Sequence, residues 1–127
     1  MDDIATLGQE IDALEAVHSR LAEIALRDDE QRRHDLIALR RQLALQIAAV
    51  GNAAEPIFGT HTDSDIQRSY RAKFSQMRSA AALHQANWPA VMLGKRLEEY
   101  RASAVGVGEA NRDFVAWIRS ALRTMQG

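Results

Sequence analysis

The sequence has 127 residues, of which 46% are hydrophobic and 26% are charged, as in one ordinary globular domain rather than a disordered chain. It has no cysteine, which excludes disulfides, thiol catalysis and cysteine-ligated zinc. The net charge of −1 argues against a general polyanion binder, and no apolar run approaches the ~20 residues that span a membrane. The first residues are acidic, unlike a secretory signal, so we expect a single cytoplasmic domain over residues 1–127 with no membrane partner.

Charge is unevenly distributed along the chain. Residues 1–30 carry nine acids and two bases, whereas the remaining residues carry eight acids and fourteen bases. This asymmetry is typical of an acidic helix that packs beside basic helices within one bundle. The alternative is a basic face that is left free for an acidic partner.

The first apolar pattern steps by three and four residues in alternation, which is typical of a helix packed nearly parallel to its neighbours. It predicts a helix over residues 3–27. The pattern consists of Ile4, Leu7, Ile11, Leu14, His18, Leu21 and Ala25. Residues 27–30 then interrupt it without a Gly or Pro, so a turn and a continuous helix with a phase shift both remain open.

A second helix is predicted over residues 30–50, with Leu36, Leu43 and Ile47 on its main apolar stripe. Gly51 is expected to end it, because glycine readily takes the left-handed conformation of a helix C-cap. Residues 51–63 contain Pro56 and several small polar residues, and they predict a loop.

The third and fourth helices are separated by Trp88-Pro89, since proline disfavours a helical residue before it. The third is predicted over residues 64–86 and the fourth over residues 94–124. In the fourth, the pattern runs from Leu93 to Met125 and crosses two glycines, which leave open a kink near residues 103–108. Four helices joined mostly by short turns predict an all-α, antiparallel four-helix bundle.

A metal site is not expected in this bundle. Di-iron bundles use two Glu-x-x-His pairs and two further carboxylates, whereas this chain has one such pair, Glu15 and His18. His18 and Asn111 instead occupy polar positions on their seams, where they are predicted to set helix register or oligomeric state. We therefore expect no metal and no cofactor.

Catalysis and nucleic-acid binding are also disfavoured. No set of acid, base and nucleophile at fixed spacing can be named, so an enzyme with a small-molecule substrate is not expected. The basic residues of the second and third helices are not interleaved with aromatics, which argues against a nucleic-acid site.

The run from His34 to Ile37 resembles the phosphoacceptor box of histidine kinase dimerisation domains and histidine phosphotransfer proteins. The resemblance implies that His34 is an exposed phosphoacceptor and that Asp35 assists proton transfer. The lysine and the small residue that follow the histidine in phosphotransfer domains are Ile37 and Ala38 here, and the downstream proline of many kinase boxes is absent.

Two further resemblances concern the N-terminal half of the chain. Residues 7–15 are similar to the first helix of AroQ-type chorismate mutases, although Gly8 stands where those enzymes have a substrate-binding arginine. The first two helices are similar in pattern to bacterial flagellar export chaperones, which have a long amphipathic helix followed by a basic-hydrophobic one.

The apolar stripe near the C-terminus is wider than one neighbouring helix needs. Phe114, Trp117, Ile118 and Met125 are predicted to form a partner or dimer face, because large aromatics anchor many interfaces. The alternative is that they close the bundle core. We therefore predict a non-catalytic protein–protein interaction module (an adaptor, small regulator or chaperone-like protein) that binds a protein partner or a second copy, with phosphotransfer through His34 as the alternative.

Overall fold

The computed structural model describes residues 2–92 and 94–126, and over those ranges it contains helices and no strands. The four α-helices are α1 (Asp3–Ile24), α2 (Arg32–Ala54), α3 (Ser64–Asn87) and α4 (Leu97–Gln126). A π-helical turn (Glu55–Gly59) extends α2, and a 3-10 turn (Ala90–Met92) precedes α4. The predicted all-α four-helix bundle is confirmed. None of the helices in the described ranges is long and apolar enough to cross a membrane.

Polar contacts between the helices show which of them are neighbours. Gln46 in the second half of α2 donates from Nε2 to the backbone oxygen of Glu10 in the first half of α1, at 2.9 Å. Arg119 near the end of α4 pairs with Asp12 of α1, with Nη2 and Oδ1 2.6 Å apart. Late segments of α2 and α4 thus lie beside the early segment of α1, as in an antiparallel bundle.

The apolar seams of all four helices meet in one main core. Its residues include most of those that the three-four patterns placed on inner faces, so burial of the stripes accounts for the packing. The core positions are Leu7, Ile11, Leu14, Val17, Leu43, Ile47, Val50, Ala54, Phe58, Tyr70, Met77, Ala81, Phe114, Val115, Ile118 and Leu122.

The segment between α1 and α2 is a turn, which settles the question that its sequence left open. Arg27 pairs with Asp29 at 2.7 Å and with Asp35 at 2.8 Å, so it ties the turn to the first turn of α2. Oδ1 of Asp29 also accepts a hydrogen bond from the backbone N–H of Gln31, at 3.0 Å. These side-chain bonds replace the backbone bonds that a continuous helix would have made.

The predicted end of the second helix at Gly51 is wrong. Gly51 lies inside α2, which continues to Ala54 and then through the π-helical turn to Gly59. A Cβ on Gly51 would lie 3.1 Å from Cζ of Phe74 in α3, so the glycine permits close approach of that ring rather than ending the helix. The loop is correspondingly shorter than residues 51–63.

The last helix begins three residues later than predicted, at Leu97, because Gly94 and Arg96 have positive φ values of 91° and 49° and belong to the preceding connection. Leu93 lies outside the described residues. Residues 103–108, where a kink was left open, are α-helical throughout.

Gly106→Ala is expected to raise the free energy of unfolding by about 1 kcal/mol, because alanine is the better helix former in a helix interior. No described atom outside the local backbone lies within 4 Å of the position of the new Cβ, so no clash offsets this gain. Urea unfolding followed by far-UV circular dichroism measures the change. A lower free energy would show that residues 103–108 are not a regular helix in solution.

Candidate functional site

A cleft of about 590 Å³ opens in the bundle between α1 and α4, with parts of α2 and α3 as its floor. We call it the α1–α4 cleft. Arg119 of α4 pairs with Glu15 of α1 at 2.5 Å and with Asp12 of α1 at 2.6 Å. These ion pairs hold the two helices together beside the cleft. Further along, the facing side chains are too small to fill the space between the helices. They are Ser19 and Ala22 of α1, Ala25 directly after it, and Ala104 and Gly108 of α4.

The inner surface of the α1–α4 cleft is largely apolar. Leu21, Leu43, Ala81 and Val107 line it from all four helices. An apolar cleft with a few converging polar groups is the usual form of a binding site in a helical bundle, so this cleft is the candidate functional site.

Two polar groups in the cleft have no hydrogen-bond partner among the described residues. They are Nε2 of His18 on the α1 side and Oδ1 of Asn111 on the α4 side, and both atoms are buried. Asn111 is only 4% exposed. Burial lowers the pKa of His18 below its ordinary value of 6.5, so its imidazole is neutral at pH 7. A buried polar group without a hydrogen-bond partner costs about 1–3 kcal/mol, so a ligand that supplies the missing partner gains binding free energy.

A second cluster of polar side chains lies near the start of α4, where Arg40, His84 and Tyr100 line the cleft. Nδ1 of His84 lies 2.6 Å from Oγ of Ser103, and the His84 ring lies 5.4 Å from that of Tyr100. Arg40 of α2 is half-buried and donates from Nη2 to the backbone oxygen of Trp88, at 2.7 Å. Burial, and to a smaller extent the positive charge of Arg40, lowers the pKa of His84 to about 4.

The α1–α4 cleft is positively charged although the chain as a whole is not. Arg40, Arg101 and Arg112 line it, and none of the three makes an ion pair within residues 2–92 and 94–126. The acid that lines it, Glu15, pairs with Arg119, so three arginines face one already engaged acid along the lining. An acidic ligand would therefore be favoured over a basic one.

The two rims of the cleft carry exposed apolar side chains. Leu26, just beyond the end of α1, is 75% exposed, and Val105 of α4 is 56% exposed. Both line the cleft, so its apolar surface continues into solvent at these two residues. Isolated exposed aliphatic residues are common, but two that flank an apolar cleft enlarge one surface.

The residues predicted to form a partner face lie mainly inside the bundle. Phe114 and Ile118 are fully buried in the main core. Trp117 and Met125 are partly buried and pack against it, with the Trp117 ring 5.3 Å from that of Phe58. A partner could reach Phe114 and Ile118 only if the helices parted, so their role as an interface stays a prediction.

The predicted phosphoacceptor, His34, is exposed near the start of α2, and it does not lie in the α1–α4 cleft. The neighbouring Asp35 pairs with Arg27 at 2.8 Å, so its carboxylate is already engaged. Phosphotransfer through His34 stays a prediction. In the described parts of the chain, no three His, Asp or Glu side chains are grouped as metal ligands.

Sequence reasoning singled out His18 and Asn111 as polar seam residues, but it missed Arg40, His84 and Tyr100 as parts of one site. One signal was available for Arg40: it lies four residues after Leu36 and three before Leu43, so it faces inwards. Nothing local could show that the bundle opens beside it. The α1–α4 cleft has to be interpreted from its own geometry, because no family model, curated protein or solved structure matches this chain.

Proposed function

We propose that this protein is a non-catalytic protein–protein interaction module that binds an acidic, amphipathic helix of a partner protein in the α1–α4 cleft. The observation that carries the proposal is the apolar cleft of about 590 Å³ flanked by the exposed side chains of Leu26 and Val105. Helices that present an apolar face to such a groove are a recurring mode of protein recognition.

The exposed rims favour a polypeptide over a small molecule. A small molecule inside the cleft would leave Leu26 and Val105 in water, whereas a helix laid along the mouth covers both. On the α1 side, the lining runs from His18 to Leu26, nine residues that span about 12 Å, which is roughly two turns of a bound helix.

The charge of the cleft defines the partner further. Arg40, Arg101 and Arg112 lie around an apolar surface without acidic partners of their own in the described ranges. A partner helix with Asp or Glu beside its apolar face complements this charge and gains association rate and selectivity from it. Basic amphipathic helices are disfavoured for the same reason.

Position-specific photo-cross-linking tests the proposal. A photoreactive phenylalanine analogue at Val105 is expected to cross-link the partner in cells that express the protein naturally. The same analogue at Asp113, which is exposed and does not line the cleft, is not expected to cross-link the partner. Mass spectrometry of the cross-linked segment should identify an apolar stripe with flanking acids.

Two matched tryptophan variants, one inside the cleft and one outside it, test whether the cleft is the binding site. Ala104→Trp places an indole inside the cleft and is expected to reduce cross-linking from Val105 at least tenfold, since the indole takes the space that the apolar side chains of the bound helix would enter. Ala102→Trp adds the same side chain at an exposed position outside the cleft and should have no effect. Equal cross-linking in both variants, or cross-links only to a second copy of this chain, would overturn the proposal.

A further inference from the structure

We infer that the bound helix carries an uncharged hydrogen-bonding side chain (Asn, Gln, Ser or Thr) on its apolar face, and that this side chain binds to His18 and Asn111. The inference rests on the proposed function and identifies which partner helix the α1–α4 cleft selects. Its basis is the pair of buried polar atoms that no other described residue satisfies.

The two polar groups lie on opposite walls of the same cleft. His18 follows Glu15 by one turn of α1, and Glu15 is the residue that Arg119 holds against α4. The polar pair therefore lies next to the point where α1 and α4 separate, on an otherwise apolar lining. A helix that packs onto the cleft therefore places one position of its apolar face against this pair.

The chemistry of the pair favours a group that can both donate and accept a hydrogen bond. The side-chain amide of Asn111 has both capacities, and a neutral imidazole has one N–H and one acceptor nitrogen. An amide or hydroxyl on the partner has both capacities and so matches either residue. Leucine would leave both orphaned, and an ionised carboxylate cannot donate to Oδ1 of Asn111. A buried ammonium would lie among the arginines of the lining without a compensating charge.

Selectivity of this kind has a large expected effect. A site that is built to hydrogen-bond its ligand discriminates strongly against an apolar analogue, because its own buried polar groups are then left unpaired. We expect a preference for glutamine over leucine of about tenfold, which corresponds to about 1.4 kcal/mol and lies within the usual net worth of a hydrogen bond.

The test uses synthetic peptides and the full chain. The probes are helical peptides of about 18 residues, or ~27 Å, with a leucine stripe, glutamates beside it, and Leu, Gln, Asp or Lys at the central apolar position. Fluorescence anisotropy gives Kd for each peptide. With the unsubstituted protein we expect the Gln peptide to bind about tenfold more tightly than the Leu peptide, and the Asp and Lys peptides to bind more weakly than Gln.

The His18→Leu/Asn111→Leu double variant supplies the decisive comparison, since the preference should then reverse in favour of the Leu peptide. Replacing unpaired buried polar groups by apolar ones of similar size is compatible with folding, which circular dichroism checks. Should the double variant fail to fold, Asn111→Leu alone is expected to reduce the tenfold preference to less than about threefold.

Failure of this inference and failure of the proposed function are distinguishable. If the Leu peptide binds the unsubstituted protein as tightly as the Gln peptide, or if the preference survives in the variants, the polar selection is overturned and helix docking stands. If no peptide binds, or if Ala104→Trp binds all of them equally well, helix docking itself is overturned.

Discussion

Replacing Phe114 by alanine is expected to lower the free energy of unfolding by about 3–5 kcal/mol, the usual cost of removing a fully buried phenylalanine. The Phe114 side chain is 0% exposed, and its ring lies 5.7 Å from that of Phe74 across the α3–α4 contact. The substitution removes this ring contact and leaves a cavity that the surrounding helices fill only in part.

Urea unfolding followed by far-UV circular dichroism measures this loss. Ile37→Ala is the control, because Ile37 is exposed on α2 and its truncation should change the free energy by less than about 0.5 kcal/mol. The measurement also separates the two interpretations of the C-terminal stripe. Retained stability together with lost association would return Phe114 to a partner surface, whereas a large loss of stability confirms it as core.

Acidification is expected to destabilise the protein between pH 6.5 and pH 4 through His84. The pKa of this group is about 4 in the folded chain and 6.5 as an ordinary histidine, so the unfolded chain binds the extra proton first. Stability that is fully present above pH 6.5 is therefore lost as the pH falls towards 4. Because His84 is only half-buried and solvent screens it, we expect a loss of about 1–2 kcal/mol rather than the full linkage value.

A comparison of variants isolates the contribution of His84 from that of the groups that all the compared chains share. Free energies of unfolding are measured from pH 7 to pH 4 for the unsubstituted protein, His84→Gln and His34→Gln. The His84→Gln curve should lose less stability on acidification, and the curve for the exposed His34→Gln should follow that of the unsubstituted protein. Parallel curves for all three would show that His84 does not titrate differently on folding.

Much of the fold was predictable from local pattern. The three-four spacing from Ile4 to Ala25 predicted the start of α1 at residue 3, although the predicted end at residue 27 lies three residues beyond Ile24. The inner face of α3 contained Tyr70, Met77 and Ala81, all of them buried. Such predictions succeed because apolar periodicity is a property of neighbouring residues and the core is made wherever the stripes meet.

Local pattern failed where side-chain contacts that apolar periodicity does not record accompany the backbone conformation. Gly51 is of a residue type that often ends helices, yet it remains helical, and the ring of Phe74, 23 residues later, packs against it. Residues 27–30 contain no helix breaker, yet they form a turn in which Arg27 pairs with Asp29 and with Asp35. Apolar periodicity indicates which positions face the core, and it shows none of these contacts.

The sequence by itself thus determined the helices, the inner faces and the polar positions of His18 and Asn111 on them. Only the tertiary structure decided that those two groups share a cleft with Arg40 and His84, and that Phe114 and Ile118 lie in the main core. The physical reason is that a cleft depends on the space between helices. That space is set by small side chains on both walls together, such as Ala22 and Ala104, which no single segment encodes.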